Sequence, residues 1–182
     1  MGIYARKKQS DFKPCPAGVW NGLCIDVVDL GMVNDPKYGE KHKIQIRWVC
    51  DALPARPDGQ PYMVSKKYNL SMHKKSNLRL MLDLWRNKPF TDDDAYDFDF
   101  ESLVGVKCKI QVAQATGEDG AFAFPQVVLK ADAAAKPCKP PANYVRECNR
   151  PGYQAPVIDE EQSEAEPEHI ADEQISDDDI PF

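Results

Sequence analysis

The 182-residue chain has no run of about 18 apolar residues, the length a helix needs to cross a bilayer, so no membrane partner is expected. Its opening, from Met1 to Lys8, lacks the apolar stretch of a signal peptide. It also carries Arg6 where a myristoylation signal needs Ser or Thr, so the expected location is cytoplasmic. The six cysteines, at 15, 24, 50, 108, 138 and 148, form no CxxC pair, and reduced thiols are expected. Cys24, Cys50 and Cys108 fall inside apolar runs and read as small core residues. Cys138, Cys148 and His73 fit no known zinc spacing. There are only three histidines and no HExxH, Walker loop or Gly-x-Ser-x-Gly, so neither catalysis nor a cofactor is expected. The carboxylates Asp92, Asp93, Asp94, Asp97 and Asp99 lack the companion Lys or His of a metal-dependent nuclease and read as a solvated loop or the first turn of a helix.

Basic residues are missing from one part of the chain. Residues 151–182 hold 11 acids and no Lys or Arg, which leaves 18 acids against 23 bases in residues 1–150, a net charge of +5. The chain is thus a mildly basic body with a strongly acidic end, a division that suggests nucleic-acid contact by one and partner contact by the other. Residues 1–17, basic with Pro14 and Pro16, read as a flexible arm, and 132–150 as a Pro-rich linker. The composition of 151–182 supports no core and reads as a disordered tail.

Between them, residues 18–131 show five strand-length runs. Gly18–Leu30 places Val19, Leu23, Ile25 and Val27 on one alternation, with Trp20 off it. Lys43–Cys50 sets Ile44, Ile46, Trp48 and Cys50 against Lys43, Gln45, Arg47 and Val49. Tyr62–Met72, Val106–Ala113 and Phe122–Leu129 complete the set, and Pro125 demotes the last to an edge or a bulge. Period-two alternation with one polar face predicts half-buried antiparallel strands. Leu78, Met81, Leu82 and Trp85 predict a helix over 76–87, capped by Ser76 and stopped by Pro89. Three strands, a helix and two strands is the element order of an OB-fold, a five-stranded barrel with a helix between strands 3 and 4; another small α+β sheet has the same order. Gly31–His42 and Asp51–Pro61 read as long loops flanking the second strand.

The third strand and its exit concentrate Lys66, Lys67, Tyr68, Lys74, Lys75 and Arg79, with Arg47 and Trp48 on the neighbouring strand. Trp20, Tyr38 and Tyr62 add rings, and Lys107 and Lys109 add outward cations on the fourth strand. Cations neutralise phosphates and exposed rings stack on bases, so these thirteen residues form the expected single-stranded nucleic-acid surface. Several have a structural reading too. Trp48 and Tyr68 share faces with apolar neighbours, and Trp20 is the freer ring by its position off the first alternation.

The chain ends Asp177-Asp178-Asp179-Ile180-Pro181-Phe182. This tip resembles, residue for residue, the acidic tip of bacterial single-stranded DNA-binding proteins, where it follows an OB-fold and a disordered linker. The resemblance implies docking of the Phe182 ring and carboxylate in basic-rimmed pockets of replication and repair enzymes, with Asp177–Asp179 steering the approach. The run Ser65–Arg79, followed by Leu84-Trp85-Arg86 and Phe90-Thr91, is similar to bacteriophage proteins described as single-stranded DNA-binding or OB-fold replication proteins. That likeness covers roughly residues 18–130 and implies a cytoplasmic role in the bacterial host cell, in replication, recombination or repair. The usual opening strand and the Gly/Gln-rich linker of the common bacterial form are missing. Its tetrameric assembly and its DNA contacts are therefore not carried over, and a homo-oligomer stays an open expectation. The alternative expectation is a protein-interaction factor that mimics the host tail to capture host replication enzymes.

Overall fold

In the computed structural model, residues 13–35, 39–117, 120–136 and 138–156 are described. Five strands, β1 (Gly18–Asp35), β2 (Gly39–Cys50), β3 (Tyr62–Asn69), β4 (Lys107–Gly117) and β5 (Gly120–Lys130), form one antiparallel sheet in the order β3-β2-β1-β4-β5. The outermost strands β3 and β5 come close to each other, although no ladder joins them among the described residues. Helix α1 (Asn77–Arg86) packs against β5 and β3, and the short helix α2 (Asp92–Tyr96) and a 3-10 turn (Phe100–Leu103) follow it before β4. No helix is long and apolar enough to cross a membrane among the described residues.

Alternation decides which side chains meet inside. Ile44, Ile46, Trp48 and Cys50 of β2, Val64 and Tyr68 of β3, and Cys108, Ile110 and Val112 of β4 are all buried in one core with Leu78, Leu82 and Trp85 of α1. Full burial of an aliphatic side chain such as Leu82 contributes about 1.5–3 kcal/mol. Ser76 caps α1 by accepting the Arg79 N–H at 3.2 Å. The helix ends at Asn87, whose left-handed backbone (φ 56°) lets its N–H reach the last carbonyls ahead of Pro89. Cys15, Cys24, Cys50, Cys108 and Cys138 are buried free thiols, and Cys148 is an exposed one. Burial pushes the Cys24 thiol up to about 12.

Four expectations are corrected. On β1, a bulge at Ile25 inserts one residue between the pairs Cys24–Trp48 and Asp26–Arg47. An extra residue reverses the parity of a strand, so Cys24 and Val27 both face the main core. Leu23 and Ile25 instead pack on the opposite face, with Val49 and Cys138. Second, the long loop at Gly31–His42 is largely a β ribbon, because β1 and β2 stay paired out to Asp35 and Gly39.

Third, the expected linker is a strap on the sheet. Cys138 and Tyr144 close over Ile25 and Val49. The Asp26 carboxylate, fully buried, accepts hydrogen bonds from Tyr144 Oη (2.8 Å), the Glu147 amide (2.9 Å) and Arg146 Nε (3.3 Å). At the far end, Pro156 sits so close to Gly31 (φ 62°) that a Cβ there would lie 2.5 Å from Pro156 Cβ. A buried carboxylate needs this many donors, and the strap supplies them. The packed body therefore runs to residue 156. The arm also ends earlier than expected. Cys15 is buried against the Cys50 thiol, a contact that lowers the Cys15 pKa and raises that of Cys50, and the Cys15 carbonyl accepts Gln114 Nε2 at 2.8 Å.

Candidate nucleic-acid interface

The hairpin of β2 and β3 carries the charge. Residues 41–49 and 62–75 include seven cations, Lys41, Lys43, Arg47, Lys66, Lys67, Lys74 and Lys75, and no acid. Antiparallel register sets Lys43 opposite Asn69, Gln45 opposite Lys67 and Arg47 opposite Ser65. Their outward face is thus a row of cations and hydrogen-bonding groups, with Gln45 Nε2 donating to Ser65 Oγ at 3.2 Å. Lys67 and Lys75 are exposed. Lys66, on the inward alternation of β3, stays half-buried with its ammonium 5.5 Å from the centre of the Tyr68 ring.

Other expected contacts are already engaged within the fold. Arg47 lies against the strap, with Nη1 2.8 Å from Glu147 Oε2 and 3.7 Å from Asp26 Oδ2. Lys74 pairs with Asp92 at 2.9 Å. Arg79 is a buried staple, donating to the carbonyls of Met72 (3.0 Å) and Phe90 (2.8 Å) and to Asp92 Oδ1 (3.2 Å). It ties the exit of β3 to the start of α2 and leaves the expected DNA surface. Lys74 first, and then Arg79, hold the Asp92 carboxyl below its usual value of 3.8. The remaining acids of this stretch shape local turns: Thr91 caps α2 through the Asp94 amide, and Asp99 caps the 3-10 turn through the Glu101 amide. On β4, Lys109 pairs with Asp132 at 2.6 Å, and Lys107 donates to the Ala135 carbonyl at 3.3 Å.

The rings divide more sharply. Trp48, Tyr62 and Tyr68 are core residues, with exposures of 0%, 6% and 5%, so none of these expected stacking rings is open to a base. Burial pushes the Tyr68 phenol upward, and the Trp48 indole packs 6.0 Å from that of Trp85. Trp20 is half-buried, because its pairing with Ile110 turns it to the core side, and its Nε1 donates to the Pro16 carbonyl at 2.9 Å. Tyr38 and the tip residues Asp177–Phe182 lie outside the described residues.

Two exposed rings escaped the sequence reading. Tyr96, at the end of α2, is 80% exposed among acids. Phe122 on β5 is 47% exposed and lies 6.0 Å from Phe124, two residues on and on the same face. The signal was the Phe-x-Phe spacing, hidden by the bulge at Gln126, between the pairs Val112–Pro125 and Gln111–Val127. No group of three or more metal-ligating side chains is assembled among the described residues. No protein-family model and no curated protein matches this chain.

Proposed function

We propose that this protein binds single-stranded DNA along the outer face of β2 and β3 and recruits partner enzymes through Asp177–Phe182, as a bacteriophage single-stranded DNA-binding protein does in the host cytoplasm. The observation that carries the DNA half is the pair of stretches 41–49 and 62–75, which hold seven cations and no acid, because phosphate neutralisation supplies most of the affinity for a single strand. The fold proposed for it is an OB barrel. The strand order, the helix between β3 and β4, and the approach of β3 to β5 all support that reading. Asp177–Phe182 supports the recruiting half by its resemblance to the bacterial tip. No catalytic role is proposed.

Lys41, Lys67 and Lys75 are exposed and form the phosphate-binding set. Three phosphate contacts on a single strand give a slope of log K against log salt of about −2.1, or about a twentyfold loss between 50 and 200 mM salt. Anisotropy of a labelled oligo-dT across that range tests it. Trp48 and Trp85 are buried, so intrinsic tryptophan emission is a poor reporter. Lys67→Ala should flatten the slope by about 0.7, whereas Arg47→Ala should leave it unchanged because Glu147 already holds that cation. No salt-dependent binding would overturn the DNA half. The protein-interaction reading, favoured by the burial of three expected stacking rings, would then stand in its place.

A further inference from the structure

A cavity of about 560 Å³ opens at the end of the sheet where β4 begins, β5 ends and α1 stops. Trp85, Phe98, Leu103 and Val106 give it an apolar lining, and Arg86, Lys107 and Lys130 also line it. Asp132 contributes the one acid, but its carboxylate is already paired with Lys109. The Arg86 guanidinium lies 3.8 Å from the centre of the Phe90 ring, and its Nη1 is buried with no hydrogen-bond partner among the described residues. Lys107 and Lys130 are exposed, and it is there that an arriving carboxylate meets an accessible ammonium.

An apolar hollow with three cations suits an apolar side chain flanked by carboxylates. The chain carries that combination at Asp177-Asp178-Asp179-Ile180-Pro181-Phe182. Pro156 and Asp177 are separated by twenty residues, 157–176, which fully extended span about 70 Å. A body of this size is roughly 40 Å across, so the segment reaches any point on it.

We propose that the cavity holds this chain's own Ile180–Phe182, with Asp177–Asp179 against Arg86, Lys107 and Lys130. No residue of β2 or β3 lines the cavity, so docking leaves Lys67 and Lys75 available to phosphates. What it withdraws is the tip, which is hidden from partner enzymes until one of them competes for it. This inference rests on the tip half of the reading above and not on the DNA half.

The test is photocrosslinking in the full chain with p-benzoylphenylalanine in place of Phe182, followed by peptide mapping. The expected product is an intramolecular crosslink to residues 85–106 or 130–133. Arg86→Gln should lower its yield about threefold, and so should Lys130→Glu, which changes an exposed residue and spares the core. Crosslinks to residues 41–75, crosslinks between two chains, or no defined crosslink would overturn the proposal. Labelled oligo-dT added to the same samples separates the two readings. DNA binding without the crosslink refutes the docking alone, and the crosslink without DNA binding refutes the DNA half alone. A fall in crosslink yield at saturating oligo-dT would refute the separation of the two sites.

Discussion

Replacing Asp26 by Ala should release the strap while leaving the main core folded. Asp26 is fully buried and accepts three hydrogen bonds from residues 144–147. Neither cation beside it is stranded by its loss, since Arg146 keeps Glu101 at 2.6 Å and Arg47 keeps Glu147 at 2.8 Å. The cost is therefore at the low end of the roughly 3–5 kcal/mol typical of an orphaned buried charge. What remains is the loss of a charged acceptor by the Tyr144 hydroxyl and the Glu147 amide, at about 1.5 kcal/mol each, or about 3 kcal/mol together. Set against the 5–15 kcal/mol that holds a typical domain, that is a large fraction. Urea unfolding should show the midpoint fall, and hydrogen exchange should show where the loss occurs. Amides of Glu147, Asn149 and Arg150 should exchange much faster, whereas Ile46, in the centre of the sheet, should change little. A loss under about 1 kcal/mol, or exchange that rises evenly through the sheet, would refute the view that Asp26 is the strap's anchor.

Arg79→Ala should cost about 2–4 kcal/mol in urea unfolding, because it strips donors from two carbonyls and from Asp92. Arg79→Lys should recover less than half, since an ammonium cannot reproduce the fork; full recovery would refute the geometry. Asp92 gives a pH signature. Its folded pKa is depressed by Lys74 and Arg79, so its contribution is complete above about pH 4 and is lost as pH falls through the lowered value. The stability gap between the native chain and Asp92→Asn should accordingly shrink in acid, and a gap that widens below pH 4 would contradict the assignment.

Much of the fold was legible because alternation is a direct consequence of strand geometry. Ile44, Ile46, Trp48 and Cys50 could share a face only if their strand was half-buried, and all four are buried. The Leu78, Met81, Leu82 and Trp85 spacing with Ser76 ahead of it named the helix and its cap. The site was less legible, because charge in a sequence carries no information about its partners. Lys67, Lys74, Arg47 and Arg79 look alike as cations. One is open to solvent, one pairs with an acid at the surface, one is held by the strap and one is buried.

The sequence by itself determined the strand and helix periods, the acid-free stretches of β2 and β3, and the acidic end, since each is a property of neighbouring residues. Tertiary structure alone decided the rest. A single bulged residue at Ile25 chose which side of β1 faces the core, and turned Trp20 from an expected stacking ring into part of that core's wall. A strap more than a hundred residues away in the chain supplied the donors that let Asp26 be buried. Both depend on pairings between distant segments, which local periodicity cannot encode.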